Sequence, residues 1–260
     1  VPPVIFRELG AEVICIHDQP DGLNINLNCG SQHTEDLRRT VLESKADLGL
    51  AFDGDGDRMI AVDEKGHELS GDHILLICAR MLKERGQLKN NLVVTTVMAN
   101  FGLHVALRRM GIQAGVAAVG DRYVLEMMKE KAASIGGESS GHMIFLDHHT
   151  TGDGIVSALQ LLAAMKEAGQ TLSQLGGLMS LTPQRMINVD VKHKPDLATI
   201  PEVQKAITAA EAELQDQGRV LIRYSGTQSM CRVMVEGPTV EMTERLTKSL
   251  AGVVTQALNR

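Results

Sequence analysis

Three aspartates alternate with two glycines in Asp53-Gly54-Asp55-Gly56-Asp57, and Arg58 closes the run. The segment stands directly behind an apolar stretch, Leu48 to Phe52, that reads as a short buried strand. Three carboxylates so close together repel one another unless a cation stands between them. The glycines let the backbone fold tightly enough for the alternate side chains to converge on one point. A hard cation such as Mg2+ takes oxygen ligands at short distance, so Asp53, Asp55 and Asp57 are candidate metal ligands. Arg58 beside them is suited to offset negative charge on a phosphoryl group.

Two other chemistries open in a similar way. An EF-hand shares the DxDxD start and finds Glu64 at its twelfth position, but it needs Gly where Arg58 stands and a helix where the apolar strand stands. A phosphatase with an aspartyl nucleophile also has paired Asp after a strand, with Thr or Val following and not Asp-Arg. A solvated acidic turn is disfavoured by the repulsion itself.

Around the acidic loop the pattern alternates between strand and helix. Glu12 to Ile16 reads as a strand, and Glu35 to Ser44 as a helix with Leu37, Val41 and Leu42 inward. After Gly71 come a helix through Ile74 to Leu82, a strand at Leu92 to Thr96, and helices at Asn100 to Met110 and Arg122 to Glu130. A helix from Gly154 to Ala168 follows, then a connection at Leu178 to Pro183. Beyond it the order changes to strand (Arg185 to Val191), helix (Pro201 to Gln215), two strands (Arg219 to Tyr224, Met230 to Glu236) and a closing helix (Thr239 to Leu258). The expected organisation is α/β over residues 1–68, a second α/β domain over 69–181, and a small α+β domain over 182–260 with its helices on one face of a mixed or antiparallel sheet.

Composition narrows the partners. With 260 residues, 43% of them hydrophobic, the chain can bury a core in more than one domain. A net charge of -6, two Tyr, four Phe and no Trp leave neither a basic excess nor stacking platforms, which argues against nucleic acid. No apolar run is long enough to span a bilayer and the first residues have no signal-peptide pattern, so no membrane partner is expected. Cys15, Cys29, Cys78 and Cys231 form no CxxC pair, and reduced thiols fit a cytoplasmic setting.

Two further loops carry polar chemistry. Gly136-Gly137-Glu138-Ser139-Ser140-Gly141-His142 lies between apolar stretches as a strand-to-strand or strand-to-helix loop, where Glu138 can accept from sugar hydroxyls or an amino group while Ser140 and His142 donate. The nearby His148-His149 doublet reads as a polar turn. Arg223-Tyr224-Ser225-Gly226-Thr227-Gln228, with Arg232 soon after, offers guanidinium groups and exposed backbone N–H donors for a phosphate, although Ser-Gly-Thr also suits a tight turn.

Together and in this order, the three loops resemble the α-D-phosphohexomutase superfamily, with its DGDGDR metal loop, GExSGH sugar loop and RxSGTE phosphate loop. Asp21-Gly22-Leu23-Asn24-Ile25-Asn26, Cys29-Gly30-Ser31-Gln32-His33, Val119-Gly120-Asp121-Arg122-Tyr123-Val124 and Thr150-Thr151-Gly152-Asp153-Gly154 look like its phosphoglucosamine mutase branch. The resemblance implies phosphohexomutase-type α/β domains followed by a small α+β domain. It implies Mg2+ at Asp53, Asp55 and Asp57, catalytic roles for Arg58 and His142, sugar reading by Glu138, Ser140 and His142, and a phosphate clamp of Arg223, Ser225, Gly226, Thr227 and Arg232. The implied reaction interconverts glucosamine 6-phosphate and glucosamine 1-phosphate through a phosphoserine and a bisphosphate, with a hexosamine phosphate as substrate. The family's TASHNP-like phosphoserine loop has no counterpart here, so the resemblance is to a C-terminal portion that is inactive alone. Ala118 replaces a frequent Lys, and Gln228 the usual Glu. A phosphomannomutase or phosphoglucomutase, or a non-catalytic phosphosugar-binding protein, are the alternative readings.

Overall fold

The computed structural model describes residues 2–226 and 228–259. These form two compact units, one running to Ala99 and resuming over Leu103–Met179, the other made of Asn100–Gly102 and the residues from Ser180 onward.

The first unit holds two sheets. In the first, β1 (Leu48–Phe52), β2 (Met59–Asp63) and β3 (Glu68–Leu69) run in that order, every pair antiparallel. Residues of β2 are all buried, because the strand is central and helices α2 (Glu35–Ser44), α3 (Gly71–Glu84) and α6 (Gly154–Ala168) all pack on it. The second sheet has the order β5 (Gln113–Ala117), β4 (Leu92–Thr96), β6 (Ile135–Gly137), β7 (Met143–Phe145). Strand β4 is parallel to β5 and β6, and β6 turns back antiparallel into β7. Helices α4 (Phe101–Arg109) and α5 (Asp121–Glu130) supply the crossovers that parallel pairing requires. One apolar core containing Met59, Leu69, Ile74, Leu103, Ile135 and Leu161 runs through both halves of the unit.

The second unit is an antiparallel sheet ordered β8 (Gln184–Asp190), β10 (Met230–Glu236), β9 (Arg219–Tyr224), covered by α8 (Pro201–Leu214) and α9 (Val240–Leu258). Leu246, Leu250, Val254 and Leu258 recur every fourth residue along α9 and are all buried with Val233 and Val235 of β10.

Several features differ from expectation, among them strands β2, β3, β5, β6 and β7, which are absent from the expected order of elements. Residues 12–16 form no strand: Val13 packs partly into the core, but no neighbouring strand pairs with the segment, and a short apolar run without a ladder is not a strand. Near the start, α1 (Pro2–Glu8) forms and buries Phe6, and α7 (Leu172–Gly176) begins with a reciprocal cap between Thr171 and Gln174. All four cysteines are free, and burial pushes the Cys78 thiol up to about 12, leaving it chemically inert at neutral pH.

The Glu64 carboxylate ties the turn after β2 to the start of α7. Burial alone would raise its proton affinity, but bonds from the Ser173 hydroxyl, from Thr171 and from the Ser173 backbone N–H prevail and hold it at about 2, below its ordinary 4.5. The folded state therefore gains stability that is full above pH 4.5 and lost as pH falls toward 2. The difference in melting temperature between the unsubstituted chain and Glu64→Gln should be constant at neutral pH and shrink steadily through that window; a difference that does not change with pH would contradict the assignment.

Candidate active site

The acidic loop is the connection of a β-hairpin, closed by the Phe52–Met59 register pair. With a strand on either side of it, the EF-hand alternative is removed. Within the hairpin, the Gly56 and Arg58 backbone N–H groups donate to the Asp53 carbonyl (3.2 Å) and Asp53 Oδ1 (3.1 Å). One ligand oxygen each from Asp53, Asp55 and Asp57 lies within 4.8 Å of the others. Arg58 Nε stands 3.8 Å from Asp53 Oδ2 and 4.0 Å from Asp57 Oδ1.

Two other segments brace this hairpin. The first is the β6–β7 connection, Glu138 to His142, which is thus a strand-to-strand loop. Its Gly141 carbonyl accepts from the Met59 N–H (3.1 Å), and Arg58 and His142 form an isolated antiparallel bridge. The second is the turn into α6, where the Gly154 N–H donates to the Gly56 carbonyl at 2.8 Å. Asp153 caps that helix, accepting from the Ile155 and Val156 N–H groups. A Cβ on Gly154 would lie 2.9 Å from both the Gly56 and the Arg58 carbonyl oxygens, so only glycine allows this approach.

His142 is 3% exposed, with Nε2 3.5 Å from Asp57 Oδ2, so its ring sits beneath the acidic loop. Burial raises the proton affinity of Asp57 first, the charge of Asp53 and a bond with it raise it further, and His142 works in the opposite direction. Glu138 and Ser140 are half-buried. Glu138 Oε1 accepts from the Gly120 N–H at 2.9 Å, which links the β6–β7 loop to the segment that opens α5. His148 and His149 are exposed in a turn.

The loop between β9 and β10 belongs to the second unit. Ser225 is buried and Gly226 exposed; Thr227, a candidate for the same clamp, lies outside the described residues. Arg223 and Arg232 face each other across the strands. The Arg223 guanidinium binds its proton less tightly than usual because of burial and then because of the Arg232 charge. The residues that sequence reasoning missed are Gly120, Gly152 and Gly154 as packing partners of the loops. Their only signal was the recurrence of glycine in the VGDRYV and TTGDG segments.

The family models described as phosphoglucomutase/phosphomannomutase α/β/α domain II, α/β/α domain III and C-terminal domain match residues 1–66, 70–181 and 186–253. The chain belongs to this phosphohexomutase family. It is 59% identical over 258 residues to a phosphoglucosamine mutase of Syntrophobacter fumaroxidans and 57% identical to one of Syntrophus aciditrophicus. Each alignment takes in 99% of this chain and 58% of the relative, so the chain spans a little over half the length of the curated relatives it matches. Among solved structures, a phosphoglucomutase/phosphomannomutase family protein of Burkholderia thailandensis shares the fold with a TM-score of 0.77 at 20% identity, over 98% of this chain and 57% of that one. Aspergillus fumigatus N-acetylphosphoglucosamine mutase, solved with GlcNAc-6P and magnesium, has a TM-score of 0.72 at 20% identity, over 90% and 54%. No helix among the described residues is long and apolar enough to cross a membrane.

A methyl group on buried Gly152 would fall 2.2 Å from His142 Nε2. Since the ring is itself buried, Gly152→Ala should lower the unfolding free energy by about 1–3 kcal/mol, the usual cost of overpacking. Urea denaturation would measure it, and an unchanged midpoint would mean that His142 is not fixed where it stands.

Proposed function

We propose that this chain carries the cation site, the sugar-reading loop and the phosphate clamp of a phosphoglucosamine mutase, which interconverts glucosamine 6-phosphate and glucosamine 1-phosphate. The observation that carries the reading is the convergence of Asp53, Asp55 and Asp57 on a hairpin braced by the Glu138–His142 loop. Relatives named phosphoglucosamine mutase support it, as does the magnesium in the structure of a fold relative.

The donor set fits Mg2+: carboxylate oxygens only, few enough to leave room for water, which Mg2+ sheds reluctantly. Asp53, Asp55 and Asp57 would hold the ion, which when bound supplies charge neutralisation for a phosphoryl oxygen. Arg58, beside both Asp53 and Asp57, is the group to pair with the transferred phosphoryl. His142 is buried against Asp57 and orients that carboxylate. The second oxygen of Glu138 accepts from a sugar hydroxyl or the amino group, and Ser140 donates to the ring substituents. Arg223, Ser225, Gly226, Thr227 and Arg232 anchor the phosphate that does not react, so that positioning and electrostatics, not new covalent chemistry, are what this chain contributes.

Asp55→Ala should abolish calorimetrically detectable Mg2+ binding to the chain, while leaving the fold intact because Asp55 is exposed. Unchanged binding would remove the metal assignment. The 260-residue chain by itself should not interconvert the two glucosamine phosphates, even with Mg2+ and a bisphosphate activator. Ser139 and Ser140 sit in the sugar loop, and no serine here stands in a loop like the family's phosphorylated one. Turnover at an ordinary enzymatic rate by a preparation free of host mutase would sink this expectation.

A further inference from the structure

We propose that Lys194 is a positioning residue for the phosphate loop, holding the Ser225–Gly226 peptide so that its N–H faces the bound anion. The inference rests on the phosphate clamp described above and adds to it a residue from outside the loop.

After β8 the chain runs through residues 191–196 alongside the β9–β10 loop and is bonded twice to it and once to the last residue of β9. The Val191 N–H donates to the Ser229 carbonyl at 3.0 Å, Lys194 Nζ to the Ser225 carbonyl at 2.7 Å, and the Tyr224 hydroxyl to the Pro195 carbonyl at 2.7 Å. Both ends of the loop, Ser225 and Ser229, are thereby tied to one strap. Within the loop the Ser225 N–H donates to the Met230 carbonyl (2.9 Å) and the Gln228 N–H to Ser225 Oγ (3.2 Å), so Ser225 is fixed on its other side as well.

The peptide geometry gives the lysine its role. In a trans peptide the C=O and the following N–H point in opposite directions, and none of the described peptides is cis. An ammonium on the Ser225 oxygen therefore directs the Gly226 N–H away from Lys194. A charge-assisted bond to the carbonyl also polarises the same peptide, making that N–H a stronger donor. Arg223 and Arg232, which repel each other across the sheet, lie in the strands that flank this loop. Lys194 thus acts from behind the peptide and does not itself touch the anion.

The test is a titration of the 260-residue chain with inorganic phosphate, followed by amide NMR. The unsubstituted chain should shift at Ser225, Gly226 and Gln228. Lys194→Met should weaken phosphate binding by about fivefold and move the Gly226 amide even without phosphate, while the amides of the β8–β10 core stay in place. Lys194→Arg, which keeps a donor cation, should recover most of the affinity. Lys192→Met removes the same charge from an exposed neighbour and should have little effect. Equal losses in the Lys192 and Lys194 variants would reduce the effect to net charge and overturn the proposal. So would binding that survives Lys194→Met undiminished, with the clamp itself left standing. If the unsubstituted chain binds no phosphate, the clamp and the positioning role fall together.

Discussion

The candidate site depends on backbone bonds that reach the acidic hairpin from two other places in the chain. Two carboxylates about 5 Å apart repel by roughly 1 kcal/mol in water and roughly 3 kcal/mol at the effective dielectric of a protein surface, and here three converge. The Met59 bond to Gly141 and the Gly154 bond to Gly56 contribute about 0.5–1.5 kcal/mol each. Those bonds alone do not outweigh the repulsion; the core packed around β2 offsets the rest, and a cation held by the three carboxylates would relieve it. The raised proton affinity of Asp57 comes first from its burial and then from the neighbouring Asp53 charge, so the repulsion adds to a desolvation cost.

Such bonds need backbones to approach within hydrogen-bond distance, and glycine sets where that can happen. Gly141, Gly152 and Gly154 each have a backbone or ring atom within 3 Å of the place a Cβ would take. Gly71 belongs to the same set: its N–H donates to the Ser139 carbonyl, and a Cβ there would lie 2.0 Å from the Glu138 carbonyl oxygen. The Glu138–His142 loop is thus gripped on one side by the start of α3 and on the other by the acidic hairpin, so its shape is inherited from its surroundings more than from its own residues.

This explains which parts could be read from the sequence. The three loops were legible because Asp, Glu, Ser and Arg at fixed spacing carry their chemistry in the side chains, and long amphipathic helices such as α6 and α9 were legible from periodicity. Strand β6 was not, since Ile135-Gly136-Gly137 has two glycines in three residues, and a Cβ on Gly136 would press on the Met128 and Val124 side chains of α5. Strand β2 was missed for another reason: a central strand buried on both faces loses the alternation that marks a half-buried one. At Glu12 to Ile16 the reverse error arose, because a short apolar run was present and a pairing partner was not. The burial of His142 could not be foreseen either, as nothing in GHM distinguishes a ring facing a ligand from one lying under an aspartate.

The second unit resolves a different electrostatic conflict. Like charges placed directly opposite on neighbouring strands destabilise a sheet, by about 0.2–1 kcal/mol on the scale of cross-strand pairs, yet Arg223 and Arg232 occupy such a pair. A slip of β10 by one residue would separate them, but it would also turn Cys231, Val233 and Val235 out of a core in which each is at most 1% exposed. Losing even one such side chain from the core costs about 1.5–3 kcal/mol, several times the repulsion avoided. The apolar face therefore fixes the register and forces the guanidinium groups together beside a loop whose Ser225 carbonyl accepts from Lys194. An anion bound there would relieve a repulsion that the fold itself imposes, so that the proposed clamp would be in this sense a consequence of how the core is packed.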